Sequence, residues 1–135
     1  MRNEFDNKLP IYQQIVYKFA VSIARGELAP GSKVASVRDL ALEFNVNPNT
    51  MQKSLAKLEE MGLLYTERTS GRFVTQNEEV IAVLAVSVHD RMMKEFVAEM
   101  VDFGVEVQEI PNRVKNYIDK NYIEGMDYNG KNTGN

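Results

Sequence analysis

Five side chains with complementary hydrogen-bonding chemistry fall between positions 38 and 53 of the chain. Arg38 carries a planar guanidinium that can hold a phosphate, or grip a guanine edge through two parallel hydrogen bonds. Asn49 and Gln52 carry amides that match N6 and N7 of adenine, and Thr50 can meet a phosphate or a thymine methyl. Lys53, with Lys57 one turn later, suits a phosphate better than a base. Each has an ordinary alternative: a surface salt bridge for Arg38, helix capping or solvation for the amides, a solvated helix face for Lys57. Further on, Arg68 and Arg72 flank Gly71 in a stretch that reads as a hairpin tip, where backbone could approach a groove closely. Elsewhere the chemistry is sparse. The one histidine, His89, stands beside Asp90 without the partners a transition-metal site needs. Glu59-Glu60 and Glu78-Glu79 are adjacent on predicted helices, so they read as solubilising charges rather than acid/base pairs. No Gly-rich phosphate loop, nucleophile elbow or metal-ligand cluster occurs, and neither an enzyme nor a cofactor is indicated.

Two short amphipathic helices joined by a tight turn must position the first group. In Val34 to Leu64, Val37, Leu40, Ala41 and Phe44 recur at helical spacing, with Ser36 as the cap and Asp39 in the first turn. Asn45-Val46-Asn47 forms the turn, Val46 plugging the corner. Asn47 then caps a second helix with Pro48 at its first position, where a missing N–H costs nothing. Met51, Leu55, Leu58 and Met61 make its buried stripe, which leaves Asn49, Thr50, Gln52, Lys53 and Lys57 outside. Amide, hydroxyl and ammonium groups therefore crowd the helix N-terminus, the end that a helix-turn-helix pushes into the major groove of DNA.

The flanking sequence completes the unit. A helix starts with Pro10 at its first position, carries Ile11, Ile15, Phe19 and Ile23 as its apolar stripe and stops at Gly26, before a Pro30-Gly31 turn. After Gly62 the period changes: Leu63 to Glu67 reads as a strand, Arg68 to Gly71 as a turn and Arg72 to Thr75 as the partner strand. Three helices followed by a hairpin is a winged helix. A long helix then follows from a capping box at Thr75-Gln76-Asn77-Glu78. Val80 to Val88 suits a strand equally well, but Ile81, Leu84, Val88, Met92, Phe96, Met100 and Phe103 sustain the helical spacing until Gly104. A shorter helix runs from about Val107 to Tyr122, with Ile110, Val114, Tyr117, Ile118 and Tyr122 inward. The Gly- and Asn-rich tail, 123–135, has no periodic apolar face and reads as disordered.

The 135 residues carry a net charge of −3, unevenly spread. Residues 1–76 hold ten basic and eight acidic side chains, whereas residues 77–135 hold six and eleven, so a mildly basic front precedes an acidic back. A field of that shape turns the front toward a polyanion. No apolar run approaches the roughly 18 residues of a membrane span, and the N-terminal MRNEFDNKLP lacks the apolar core of a signal peptide. The absence of cysteine fits a cytoplasmic location.

In order along the chain, Pro10-Ile11-Tyr12-Gln13-Gln14-Ile15, Gly26-Glu27-Leu28-Ala29-Pro30-Gly31, Ser36-Val37-Arg38-Asp39-Leu40-Ala41, Asn47-Pro48-Asn49-Thr50 and Glu59-Glu60-Met61-Gly62-Leu63-Leu64 resemble the successive blocks of the GntR family of bacterial transcription regulators. The resemblance covers residues 8–76. The remainder is similar to the short helical C-terminal region of the YtrA subfamily. It implies DNA contacts at Arg38, Asn47, Asn49, Thr50, Gln52 and Gly71. Ala35 stands where the family often has proline, and Pro48 and Gln52 stand where some members place arginines, so base preferences do not transfer.

The expected architecture is mainly α with a small β-hairpin: an N-terminal winged helix-turn-helix, 1–76, and a two-helix dimerisation region, 77–122. The apolar stripe from Ile81 to Phe103 is too wide for one short helix to bury, which points to a twofold partner and hence a palindromic site on double-stranded DNA. Intramolecular packing against the winged helix is the alternative use of that stripe. The expected function is a homodimeric, sequence-specific transcription regulator, read as a repressor; the resemblance implies a small-molecule effector that changes the angle between the subunits, although the chain offers little obvious room for an enclosed ligand pocket. A protein-interaction module built on the same winged helix is the rival reading.

Overall fold

Helix α1, Ile11–Ala24, begins one residue later than expected, because Pro10 keeps an extended backbone (ψ 142°) and accepts the N–H groups of Gln13 and Gln14 from outside the helix. The computed structural model describes residues 5–122; the tail expected to be disordered, 123–135, lies outside them. Ile15, Phe19 and Ile23 are buried along α1, but Ile11 is 44% exposed, since the first turn projects past the core. Helix α2, Val37–Phe44, is capped as anticipated: the Ser36 hydroxyl accepts the Asp39 N–H at 3.1 Å. It ends on Asn45 in the left-handed region (φ 54°), which asparagine tolerates better than most residues. Val46 is half-buried against the core at the corner.

Helix α3, Pro48–Glu60, packs on both α1 and α2. Met51, Leu55 and Leu58 are fully buried on it, each contributing roughly 1.5–3 kcal/mol by leaving water. The fourth member of the expected stripe, Met61, is 43% exposed. Ser54 takes the inward position instead, its hydroxyl donating to the Thr50 carbonyl at 2.9 Å and the Tyr12 carbonyl at 3.3 Å, so the buried oxygen is satisfied. Gly62 (φ 78°) closes α3: its N–H bonds the Glu59 carbonyl and the Leu63 N–H the Leu58 carbonyl, the paired bonds of a Schellman stop.

Strands β1, Leu64–Glu67, and β2, Gly71–Val74, are antiparallel, with Leu64 opposite Val74 and Thr66 opposite Arg72. Each lies one residue off the expected span, and Gly71 pairs within β2 rather than ending the turn. The segment before α2 adds to the far edge of β2. The Val34 N–H bonds the Arg72 carbonyl, the Val74 N–H bonds the Ser32 carbonyl, and Lys33 bridges Phe73. Strand β2 is thereby bonded along both edges, by β1 and by the segment before α2, while the turn at residues 68–70 stands beyond these bonds.

Helix α4, Glu78–Asp102, resolves the ambiguous Val80 to Val88 run as helix. Its cap is Asn77, whose Oδ1 accepts the Glu79 and Val80 N–H groups at 3.0 and 3.3 Å, rather than the predicted Thr75. Thr75 instead orients that cap by accepting the Asn77 N–H. Leu84 and Val88 are buried in the same core as α1 to α3, with Val80 and Ile81 packed against it. For that reason the first compact unit extends beyond residue 76 to Asp90, and a second starts at Arg91 within the helix. In the second unit α4 ends at Gly104 (φ 88°), and a 3₁₀ turn, Val107–Glu109, leads into α5, Ile110–Asn121. Ile110 is buried and Val114 half-buried as expected, but Tyr117, Ile118 and Tyr122 are exposed.

Candidate nucleic-acid interface

The N-terminus of α3 is built before any ligand arrives. Asn47 Oδ1 accepts the Asn49 N–H at 2.7 Å, so this side chain is a cap first, with only its amide NH₂ left to offer. Asn49, Gln52 and Lys53 are exposed and Thr50 is half-exposed. These four occupy the first turn and a half of a helix whose opposite face is fully buried, so its axis and rotation are set by the core. Lys53 does not swing freely. Its ammonium lies 3.9 Å from the centroid of the Tyr12 ring on α1, a cation–π contact of about 0.5–1 kcal/mol at an exposed site. Tyr12 was not anticipated as part of this surface; its partner is 41 positions away, and only the packing of α1 on α3 joins them.

Arg38, on the first turn of α2, is exposed and forms no ion pair among the described residues. Arg68 at the hairpin tip is likewise exposed and unpaired among them. Gly71 has φ 108°, a conformation that side-chain-bearing residues rarely adopt, and a Cβ there would stand 3.4 Å from Lys33 Cε. Lys33 is thus a further exposed cation beside the tip, placed there by its bridge to Phe73.

Arg72 is different. Its Nε donates to Glu59 Oε1 at 2.5 Å, and Thr66 Oγ1 donates to the same oxygen at 2.7 Å. Burial pushes the Glu59 carboxyl up, but the hydrogen bonds from Thr66 and Arg72 and the Arg72 charge outweigh it and hold the group below its ordinary value. Of the two adjacent acids read as solubilising charges, only Glu60 is one, paired loosely with Lys57 at 3.5 Å. Glu59 joins the recognition helix to both strands.

The stripe expected to meet a second copy divides at the same place as the chain. Ile81, Leu84 and Val88 are covered within the first unit. Met92, Phe96 and Phe103 are exposed and Met100 is half-buried, in a second unit that also exposes Met93, Val97, Val101 and Val107. In the first unit an open, mostly apolar groove of about 480 Å³ lies between Met61, Leu63, Val80, Val83 and Leu84.

A helix-turn-helix with a hairpin wing, cationic at its exposed turns, is the frame of a DNA-binding regulator. Residues 8–74 match the family of bacterial regulatory proteins of the gntR type. The transcriptional repressor YtrA of Bacillus subtilis is 30% identical over 107 residues, 78% of this chain and 82% of its own length. A GntR family transcriptional regulator from Listeria monocytogenes superposes with a TM-score of 0.71 at 36% identity, over 83% of this chain and 98% of the other. The DNA-binding domain of AraR, solved in complex with its operator ORX1, superposes with a TM-score of 0.50 at 28% identity over 53% of this chain and 93% of that one. The chain belongs to the GntR family and is a YtrA-like transcription regulator with a DNA-binding domain. Among the described residues no helix is long and apolar enough to cross a membrane.

Proposed function

We propose that this protein is a cytoplasmic, homodimeric repressor that reads a palindromic operator in double-stranded DNA. The observation that carries the reading is the capped N-terminus of α3, which presents Asn49, Thr50, Gln52 and Lys53 to solvent on a helix fixed by two others. In this reading Asn49 and Gln52 contact base edges, while Arg38, Thr50, Lys53, the Asn47 amide and, across the wing, Arg68 and the Gly71 backbone hold the phosphates. One such domain makes few phosphate contacts, so useful affinity at physiological salt calls for two copies. The exposed Met92, Phe96 and Phe103 supply an apolar surface for pairing.

The test is fluorescence anisotropy with the protein's own upstream DNA and a scrambled duplex of equal length at two salt concentrations. Tight binding to the upstream duplex alone, falling steeply with salt, supports the reading. Lys53→Gln should then lower the slope of log K against log salt by about 0.9 per subunit. Equal, weak binding to both duplexes would count against it and favour a protein-docking role for the same surface.

A further inference from the structure

Glu59 stands on the last turn of α3, and the two side chains that reach it come from different strands of the wing, Thr66 on β1 and Arg72 on β2. Thr66 and Arg72 are register partners, so both donors converge from one face of the hairpin onto a single carboxylate oxygen. The side chains of Glu59 and Arg72 are only 31% and 21% exposed, against 41–71% for the other ion pairs among the described residues. The wing is therefore fastened to the segment before α2 by backbone hydrogen bonds along the outer edge of β2, as far as the Arg72 carbonyl, and to the recognition helix by this one carboxylate. Those backbone bonds join β2 to the segment before α2, and none of them reaches α3. The side-chain tie links both strands to α3 and so resists a change in the angle between them.

We propose that Glu59 is a positioning residue for operator binding: it sets the angle between recognition helix and wing, and Arg72 acts through Glu59 rather than through a phosphate. The proposal rests on the DNA-reading function above. An arginine whose charge is matched by a hydrogen-bonded carboxylate displaces few counterions from DNA, so Arg72 should contribute little to the salt dependence that Lys53 and Arg38 create. What it contributes is geometry. With α3 and wing preset, both elements meet the duplex without an ordering cost, and the benefit falls on the matched site more than on random DNA.

Glu59→Gln provides a test by sign. The substitution removes a negative charge from the DNA-facing domain, and electrostatics alone would tighten binding. The proposal expects the reverse: about tenfold weaker binding to the upstream duplex, unchanged binding to the scrambled one, and an unchanged salt slope. Arg72→Gln should match it, and the double variant should be no weaker than either single one, because both break the same tie. Thr66→Val, on the exposed strand, removes one donor only and should give a smaller loss of the same kind; it serves if the other variants fold poorly by circular dichroism. Glu59→Gln binding as tightly as wild type or tighter would overturn the proposal. So would Arg72→Gln lowering the salt slope by about 0.9 per subunit, as a lost phosphate contact does. A wild-type protein that fails to distinguish the two duplexes overturns the DNA reading itself, and the proposal with it; discrimination by wild type with unaltered variants overturns the proposal alone.

Discussion

Replacing Leu84 and Phe96 by turns separates the two uses to which one helix is put. Leu84 is 9% exposed and lies in the core shared with α1 to α3, so Leu84→Ala removes packed methyl groups and leaves a partly open cavity. Leucine-to-alanine changes in cores cost about 2–5 kcal/mol, and a site at the margin of a core belongs at the lower end, about 2–3 kcal/mol. For a protein of this size that lowers the melting temperature by roughly 6–12 °C. Phe96 is 44% exposed, so Phe96→Asp should cost a monomer less than about 0.5 kcal/mol. If a second copy covers it, the same change buries a carboxylate in an apolar interface and dissociates the dimer. Thermal unfolding across a wide range of protein concentration, with sedimentation velocity, distinguishes the cases. Leu84→Ala should shift the melting temperature by the same amount at every concentration and leave the sedimenting species unchanged. Phe96→Asp should abolish the concentration dependence and yield monomer. A Leu84→Ala cost below about 1 kcal/mol would refute the assignment of this part of α4 to the core. A Phe96→Asp protein that sediments like wild type would refute pairing through this surface.

Three further outcomes are expected. Asn47→Ala removes the cap of α3 and should cost about 1 kcal/mol in urea unfolding, with a parallel loss of affinity for the upstream duplex, whereas Asn47→Asp, which still caps, should retain the stability. Gly71→Ala forces a side chain to φ 108° beside Lys33 and should destabilise the fold by about 1–3 kcal/mol in the same assay; an unchanged protein would mean that the tip relaxes freely. The Glu59 carboxyl is held below its ordinary value of 4.5, so its charged form favours the folded state. That contribution is fully present above pH 4.5 and is lost as pH falls through the lower folded value. The stability gap between wild type and Glu59→Gln should thus be constant near neutrality and close on acidification, and a gap that widens in acid would contradict the assignment.

Local chemistry made much of this protein legible along the chain. Ser36 and Asn47 are caps because a short polar side chain can accept an N–H two or three positions on, a relation confined to neighbours. Gly62 and Gly104 stop helices because they adopt positive φ without cost, again a property of one residue. Periodicity found α1 to α3 and the hairpin, and it judged Val80 to Val88 correctly as helix because the spacing outlasted the β-branched stretch. It also exposed the N-terminal turn of α3 by elimination, since the buried stripe left Asn49, Gln52 and Lys53 outside.

Only the tertiary structure decided what the outward residues touch. Nothing local distinguishes Glu59 from Glu60, yet one ties α3 to both strands of the wing and the other faces water, because the hairpin turns back beside only one of them. Arg72 and Arg68 are alike in type and four positions apart, and the pleat gives the first a carboxylate and leaves the second at the tip. Met61 fits the apolar period of α3 but lies beyond the reach of the core, and Ser54 replaces it inside because two carbonyls satisfy its hydroxyl. The stripe on α4 is continuous as a pattern, and it divides near Asp90 because α1 to α3 cover only its first turns. A repeating pattern states that a face is apolar; which neighbour covers each part of it is a matter of distance in three dimensions.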